Sequence, residues 1–278
     1  MFPFIAALTQ VGGIIIDKII LTRRQVALRV FVPILFLFLF LFTAFLFPFL
    51  GRISWDLFGG YYLWLFGAML VVAVIWNVCY YRGVQSEKVH EFELIVMFQP
   101  LLTILLATLF LKGERNIHLE LAALVAAIFL IIAHWQKSHL EISRGSLYLV
   151  SAVVFMSVEL ILIKILLEVF SPVALYFVRT GILFLFFIFF YRPHLVQVAE
   201  RNWLLIAATS FLGTTQMVTK FYGFAELGVV YTSLILILAP VLVYLASKVI
   251  LHEHITTRTV VSLTVILGCI IYATIVGR

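Results

Sequence analysis

Ten apolar blocks, each about 20 residues long, follow one another with short polar connections, and this spacing limits the chain to one kind of solvent. In hydrocarbon no water is present to pair with backbone N–H and C=O groups, so each block must satisfy them internally as an α-helix. The blocks run over 2–21, 28–50, 61–81, 89–111, 117–135, 145–168, 172–191, 203–222, 228–251 and 259–276. Composition agrees: 64% of the residues are hydrophobic, 12% are charged and the mean hydropathy is +1.19. A soluble domain carries about a quarter charged residues to wet its surface. The expected fold class is an all-α membrane protein with ten transmembrane helices. The longest polar stretch, around Gln136 to Arg144, joins the fifth and sixth blocks. With no segment long enough for a soluble domain, the chemistry is expected inside the bundle.

The formal charge of +6 comes from Lys and Arg in short runs between the blocks, as in Thr22-Arg23-Arg24-Gln25 and Tyr191-Arg192-Pro193. Such runs contact lipid headgroups and set topology. No basic face interleaved with aromatics is available to track nucleic acid, so none is expected as a partner. Cys79 and Cys269 both lie in apolar blocks, and no metal-binding spacing occurs. The start, Met1-Phe2-Pro3-Phe4, has no basic segment ahead of it and reads as the first membrane helix. The Phe/Leu run Phe36 to Phe42 in the second block reads as a lipid-facing wall.

Shifting the sequence against itself by 139 to 146 residues brings five landmarks into register, in order. Lys18 meets Lys164, and Trp64 meets Trp203. Asn77 and Gln216 each stand thirteen residues after their Trp. Pro100 and Pro240 interrupt the fourth and ninth blocks, and Glu114 and Glu253 follow those blocks directly. The chain therefore divides into 1–141 and 142–278. Each half holds five helices, an odd number, so the second half enters the membrane from the opposite side. Two inverted five-helix repeats of this kind can exchange conformations and open a central site to alternate sides, which is the architecture of a carrier. Mid-helix proline removes a backbone hydrogen bond and crowds the preceding turn, so Pro100 and Pro240 are expected to kink their helices toward the cavity.

Segments 81–133 and 222–273 resemble the signature stretch of the EamA branch of the drug/metabolite transporter superfamily. In that pattern a Pro-containing helix ends in Leu-Gly-Glu-Arg, and a polar turn then opens a final apolar helix. The first copy here reads Leu111-Lys112-Gly113-Glu114-Arg115, with one extra residue; the second reads Leu251-His252-Glu253-His254, with His at the Gly and Arg places. The resemblance implies transport of a metabolite or drug-like solute, commonly as a proton-linked carrier or exchanger, in the plasma membrane and without a cofactor. A homodimer is compatible with it.

Ionisable groups at membrane depth cost roughly 2.5–3.5 kcal/mol each on insertion scales and therefore face a cavity or a partner. Glu159 is the deepest carboxylate, and hydrocarbon favours the neutral form of such a group, which suits proton coupling. Its repeat position is Gly13, so it breaks the symmetry of the halves. Arg179, two turns into the seventh block, can grip an anionic group with its planar fork, snorkel, or pair with Glu159. Glu93, one turn into the fourth block, is the second proton-coupling candidate, and the resemblance places its neighbourhood at the central cavity. Its repeat counterparts Tyr231 and Thr232, with the amides Asn77, Gln216 and Gln99, complete the candidate substrate-binding set; Gln10 is a further amide. The alternative for the amides is interhelical hydrogen bonding. Asp17, Lys18, Lys164 and Lys220 lie toward helix ends, where snorkelling or local pairing is expected. His252-Glu253-His254 does not read as a metal site, because helix neighbours two apart do not face each other.

The expected function is thus a multi-pass carrier working by alternating access and not an enzyme. The alternatives are a lipid-linked sugar flippase, which needs a lateral opening, and a membrane enzyme acting on lipid. The enzyme lacks support in clustered catalytic groups: there are two Asp and no Gly-x-Ser-x-Gly. Basic residues outnumber on the connections after odd-numbered blocks, which would place both termini outside, whereas the resemblance implies both inside and is followed here.

Overall fold

The computed structural model describes residues 1–86, 95–96, 98–134, 143–193, 200–239, 242 and 257–276. Among these residues the chain is almost wholly helical, with ten α-helices and one isolated bridge, Ile53 to Phe170. They are α1 (Phe2–Lys18), α2 (Leu28–Leu50), α3 (Tyr61–Ser86), α4 (Phe98–Phe110), α5 (Ile117–His134), α6 (Arg144–Leu166), α7 (Pro172–Tyr191), α8 (Glu200–Leu227), α9 (Val229–Leu236) and α10 (Thr257–Val276). α1 runs on into a π-helical turn, Ile19–Arg23. By length and composition, Phe2–Leu21 and the helices α2, α3, α6 and α7 are long and apolar enough to cross a membrane. The protein is a multi-pass membrane protein.

Local sequence accounts for several boundaries. Ser143 and Ser171 cap α6 and α7 by accepting hydrogen bonds from Ser146 N and Ala174 N, and Pro172 occupies the first position of α7, where no N–H is needed. Arg192 ends α7 in the left-handed conformation at φ 45°. Ser171 Oγ also accepts from Arg52 N and donates to Leu50 O, both at 2.9 Å, tying the α6–α7 corner to the end of α2.

The pairing of helices sets the interior. α3 packs along α6, and α1 along α8; α2 lies against α7 and α8; α4 touches α6 and α9; and α5 pairs with α10. α2 is therefore no lipid-facing wall over the Phe36 to Phe42 run. Phe36 and Leu39 are buried there, Phe36 against Phe187 of α7 and Phe40 against Phe177, and of the seven only Leu41 is exposed. Pro33 and Pro48 both lie inside α2 without ending it. Pro100 is buried near the start of α4, while Pro240 lies outside the described residues.

One end of the bundle is fastened across the two halves. Lys164 Nζ on α6 donates to Phe224 O at 2.6 Å and lies 3.6 Å from Glu114 Oε1. The other oxygen of Glu114 accepts from Val230 N at 3.2 Å, capping α9. Gly228 precedes that cap at φ 86°, and a Cβ there would sit 2.5 Å from Glu114 Oε2, so both backbone and space require glycine. Gly83 does similar service between α3 and α6, where a Cβ would stand 2.4 Å from the Leu149 side chain.

Candidate functional site

A central cavity of about 140 Å³ lies where α1, α2, α3 and α4 meet α6, α7 and α8. Helical spacing explains how each wall is built. On α8, Thr209, Gly213, Gln216, Met217 and Lys220 recur at three- and four-residue intervals and share one face. α1 presents Gln10, Gly13, Ile14 and Asp17 in the same way, and α3 presents Trp76, Asn77, Tyr80 and Tyr81. α6 contributes Glu159, and α7 contributes Tyr176 and Arg179.

Glu159 and Arg179 form the centre of this site. Arg179 Nε donates to Glu159 Oε1 at 2.7 Å and Nη2 to Oε2 at 3.2 Å, and Trp76 Nε1 adds a third donor to Oε2 at 2.6 Å. The carboxylate is fully buried and the guanidinium 2% exposed. A forked, two-point pair offsets much of the desolvation that either charge alone would suffer. Tyr176 and Trp76 flank the guanidinium with their rings, each centroid 5.8 Å from Arg179 Cζ. Of the alternatives open for Arg179, pairing with Glu159 is the one observed.

The other groups are disposed around that pair. Lys220 reaches the cavity with 4% exposure, its Nζ 5.8 Å from the centroid of the Phe224 ring, and makes no hydrogen bond or ion pair among the described residues. It does not snorkel. Asp17 Oδ1 accepts from Thr209 Oγ1 at 2.7 Å, joining α1 to α8 on the cavity wall. Lys220 stands eleven residues beyond Thr209 on α8, roughly 16 Å along the axis at 1.5 Å per residue. Asp17 and Lys220 thus stand at different levels along α8.

The amides divide. Asn77 donates to Ala73 O at 2.8 Å and Gln99 to Thr103 Oγ1 at 2.8 Å, so both line the cavity while bonded within their own helices. The side-chain amides of Gln10 and Gln216 line it without a partner among the described residues. Tyr231 and Thr232 on α9 stand apart from the cavity: Tyr231 bonds Thr274 at 2.7 Å, and Thr232 is buried against Gly223. Glu93 and His252-Glu253-His254 lie outside the described residues. Asp17, Lys220 and the rings of Trp76, Tyr80, Tyr81 and Tyr176 were not singled out as site residues in the sequence. For Lys220 a signal existed, since it follows Gln216 by one helical turn.

A second concavity of about 910 Å³ lies on the outer side of α4, α5 and α6. Its walls are mainly Leu, Ile, Val, Ala and Phe side chains with Thr108 and Ser146, and Glu120 is the one ionisable residue lining it among the described residues.

Residues 143–275 match the model of the EamA-like transporter family, part of the drug/metabolite transporter superfamily. No curated protein matches the sequence. A solved crystal structure of a protein with 19% identity aligns at a TM-score of 0.70, covering 97% of this chain and 98% of its own, and so shares the fold.

Proposed function

From a multi-pass helical bundle whose residues 143–275 match the EamA-like transporter family, we propose a carrier that moves a small metabolite or drug-like solute by alternating access. The observation that carries this reading is the polar cavity at the junction of α1–α4 with α6–α8, built by both halves of the chain and holding a buried ion pair. Its volume, about 140 Å³, compares with the roughly 150 Å³ at which an engineered apolar cavity admits benzene. That favours a small solute.

The reading includes ten membrane crossings in two inverted repeats, 1–141 and 142–278, which the pattern of helix contacts supports. Exchanging the halves turns the α3–α6 pair into α8–α1 and the α4–α6 pair into α9–α1, and returns α2–α7, α4–α9 and α5–α10 to themselves. A two-fold relation does this, and five crossings per half put its axis in the membrane plane. In the proton-linked form of this carrier, protonation of Glu159 would remove the anionic partner of Arg179 and free the guanidinium for solute, with Glu93 as the second acidic candidate. Gln216, Asn77 and Gln99 would line the path, whereas Tyr231 and Thr232 have no part in it, since they stand apart from the cavity. The flippase alternative would use the apolar groove on α4–α6, but a groove with Glu120 as its one ionisable residue offers little to a sugar headgroup.

The test is uptake of a metabolite panel by the purified chain in liposomes, with and without a pH gradient. Saturable uptake that falls at least tenfold in Arg179→Gln is expected. Uptake unaffected by Arg179→Gln and Gln216→Leu together would remove the cavity from the path.

A further inference from the structure

We propose that Lys220 is the anchor for an anionic group, so that the solute taken by the central cavity is a small organic anion. The inference rests on the carrier reading for its consequence, transport, but on geometry for the site itself. Three ionisable side chains meet at this end of the cavity: Glu159, Arg179 and Lys220. Glu159 is fully committed, both oxygens receiving Arg179 and one also Trp76. Arg179 is engaged through its fork and enclosed by two aromatic rings. Lys220 remains, 96% buried, with its ammonium against the Phe224 ring and no anionic partner of its own among the described residues. Among the described residues, two cations against one carboxylate leave a surplus positive charge in a medium where an uncompensated charge is costly. Asp17, the other cavity carboxylate, sits roughly 16 Å along α8 from Lys220 and is held by Thr209, too far to neutralise it. A compact anion entering the cavity would complete the charge balance and gain a charge-assisted hydrogen bond.

The asymmetry of the halves points the same way. Trp64 with Trp203 and Asn77 with Gln216 set α3 and α8 in a 139-residue register, and Lys220 then falls where the first half has Tyr81. The same register, carried to α2 and α7 by Pro33 and Pro172, sets Arg179 opposite Phe40. All three charges therefore come from the second half, at positions that are uncharged in the first. Two matched halves provide the motion, and one charge cluster provides a single anion site. The rings of Trp76, Tyr176 and Tyr81 and the amide of Gln216 would then meet the body of the anion.

The experiment follows melting of the full-length protein in detergent with acetate, pyruvate, benzoate or inorganic phosphate, each against acetamide, benzamide or benzylamine. At least one anion should stabilise the protein saturably while the neutral and cationic compounds do not. Lys220→Gln should weaken that binding at least tenfold, the loss expected for one charge-assisted bond, and Lys220→Arg should restore most of it. Absence of saturable stabilisation by every anion, or equal binding by Lys220→Gln, overturns the proposal. Counterflow in liposomes separates this from the carrier reading. Anion binding without movement leaves the Lys220 site standing and removes the carrier, whereas movement confined to neutral or cationic compounds does the reverse.

Discussion

Glu159 and Arg179 were each conspicuous in the sequence, and their pairing was one of three alternatives open for Arg179, but the sequence did not choose among them. Positions twenty residues apart on consecutive helices meet only if α6 and α7 are turned toward each other, and that rotation is fixed by packing that hydropathy does not encode. The same holds for Trp76, whose indole reads as one more apolar residue until its N–H is seen 2.6 Å from Glu159. The pair makes an asymmetric prediction. Glu159→Gln leaves Arg179 and Lys220 as two buried cations, and breaking a buried pair in this way costs about 3–5 kcal/mol. Arg179→Gln leaves Glu159 with Lys220 as a neighbouring cation, so the loss should be clearly smaller. Urea or thermal unfolding of the two variants in the same detergent decides it. Equal losses would mean that Lys220 does not sense Glu159.

Each of the ten apolar blocks carries an α-helix among the described residues, because a helix is the only open-ended solution for backbone in hydrocarbon. Five of these stretches are long and apolar enough to cross a membrane, while the helices described in the fourth and ninth blocks are Phe98–Phe110 and Val229–Leu236. What each helix faces was less legible. α2 reads as the most lipid-like block of all, yet it is clasped by α7 and α8, since Phe and Leu serve equally well against lipid and against other helices. Glycines carry a signal that hydropathy overlooks. Gly83→Ala should force Leu149 aside and cost about 1–3 kcal/mol, and adding Leu149→Ala should recover part of it. A fully stable single variant would show that α3 and α6 are not in the close contact described. At the cross-half fastening, Glu114→Ala removes both the cap of α9 and the partner of Lys164. A loss of about 0.5–2 kcal/mol is expected, with faster hydrogen exchange at Val230 and Tyr231. Unchanged exchange there would contradict the capping role.

For the whole molecule, five landmarks in register suggest an internal repeat, and the helix contacts are compatible with the two-fold scheme proposed from it. A central site was expected, and Glu159, Arg179, Asn77, Gln99 and Gln216 do line the cavity. The rest of its wall was not readable, because it is assembled by single faces of seven helices, and because Asp17 and Lys220, placed toward helix ends by the sequence, turn inward. Ten crossings in inverted halves predict that cysteines placed at the two termini label from one face of the membrane and a cysteine near residue 138 from the other. Labelling of all three from the same face would break the inverted arrangement. Alternating access itself is tested most directly at Gln216, whose amide lines the cavity. In a Cys79→Ala, Cys269→Ala background, Gln216→Cys should react with a membrane-impermeant maleimide both in right-side-out and in inside-out vesicles. Reaction from only one side, under every solute and pH condition applied, would contradict a cavity that opens to both faces.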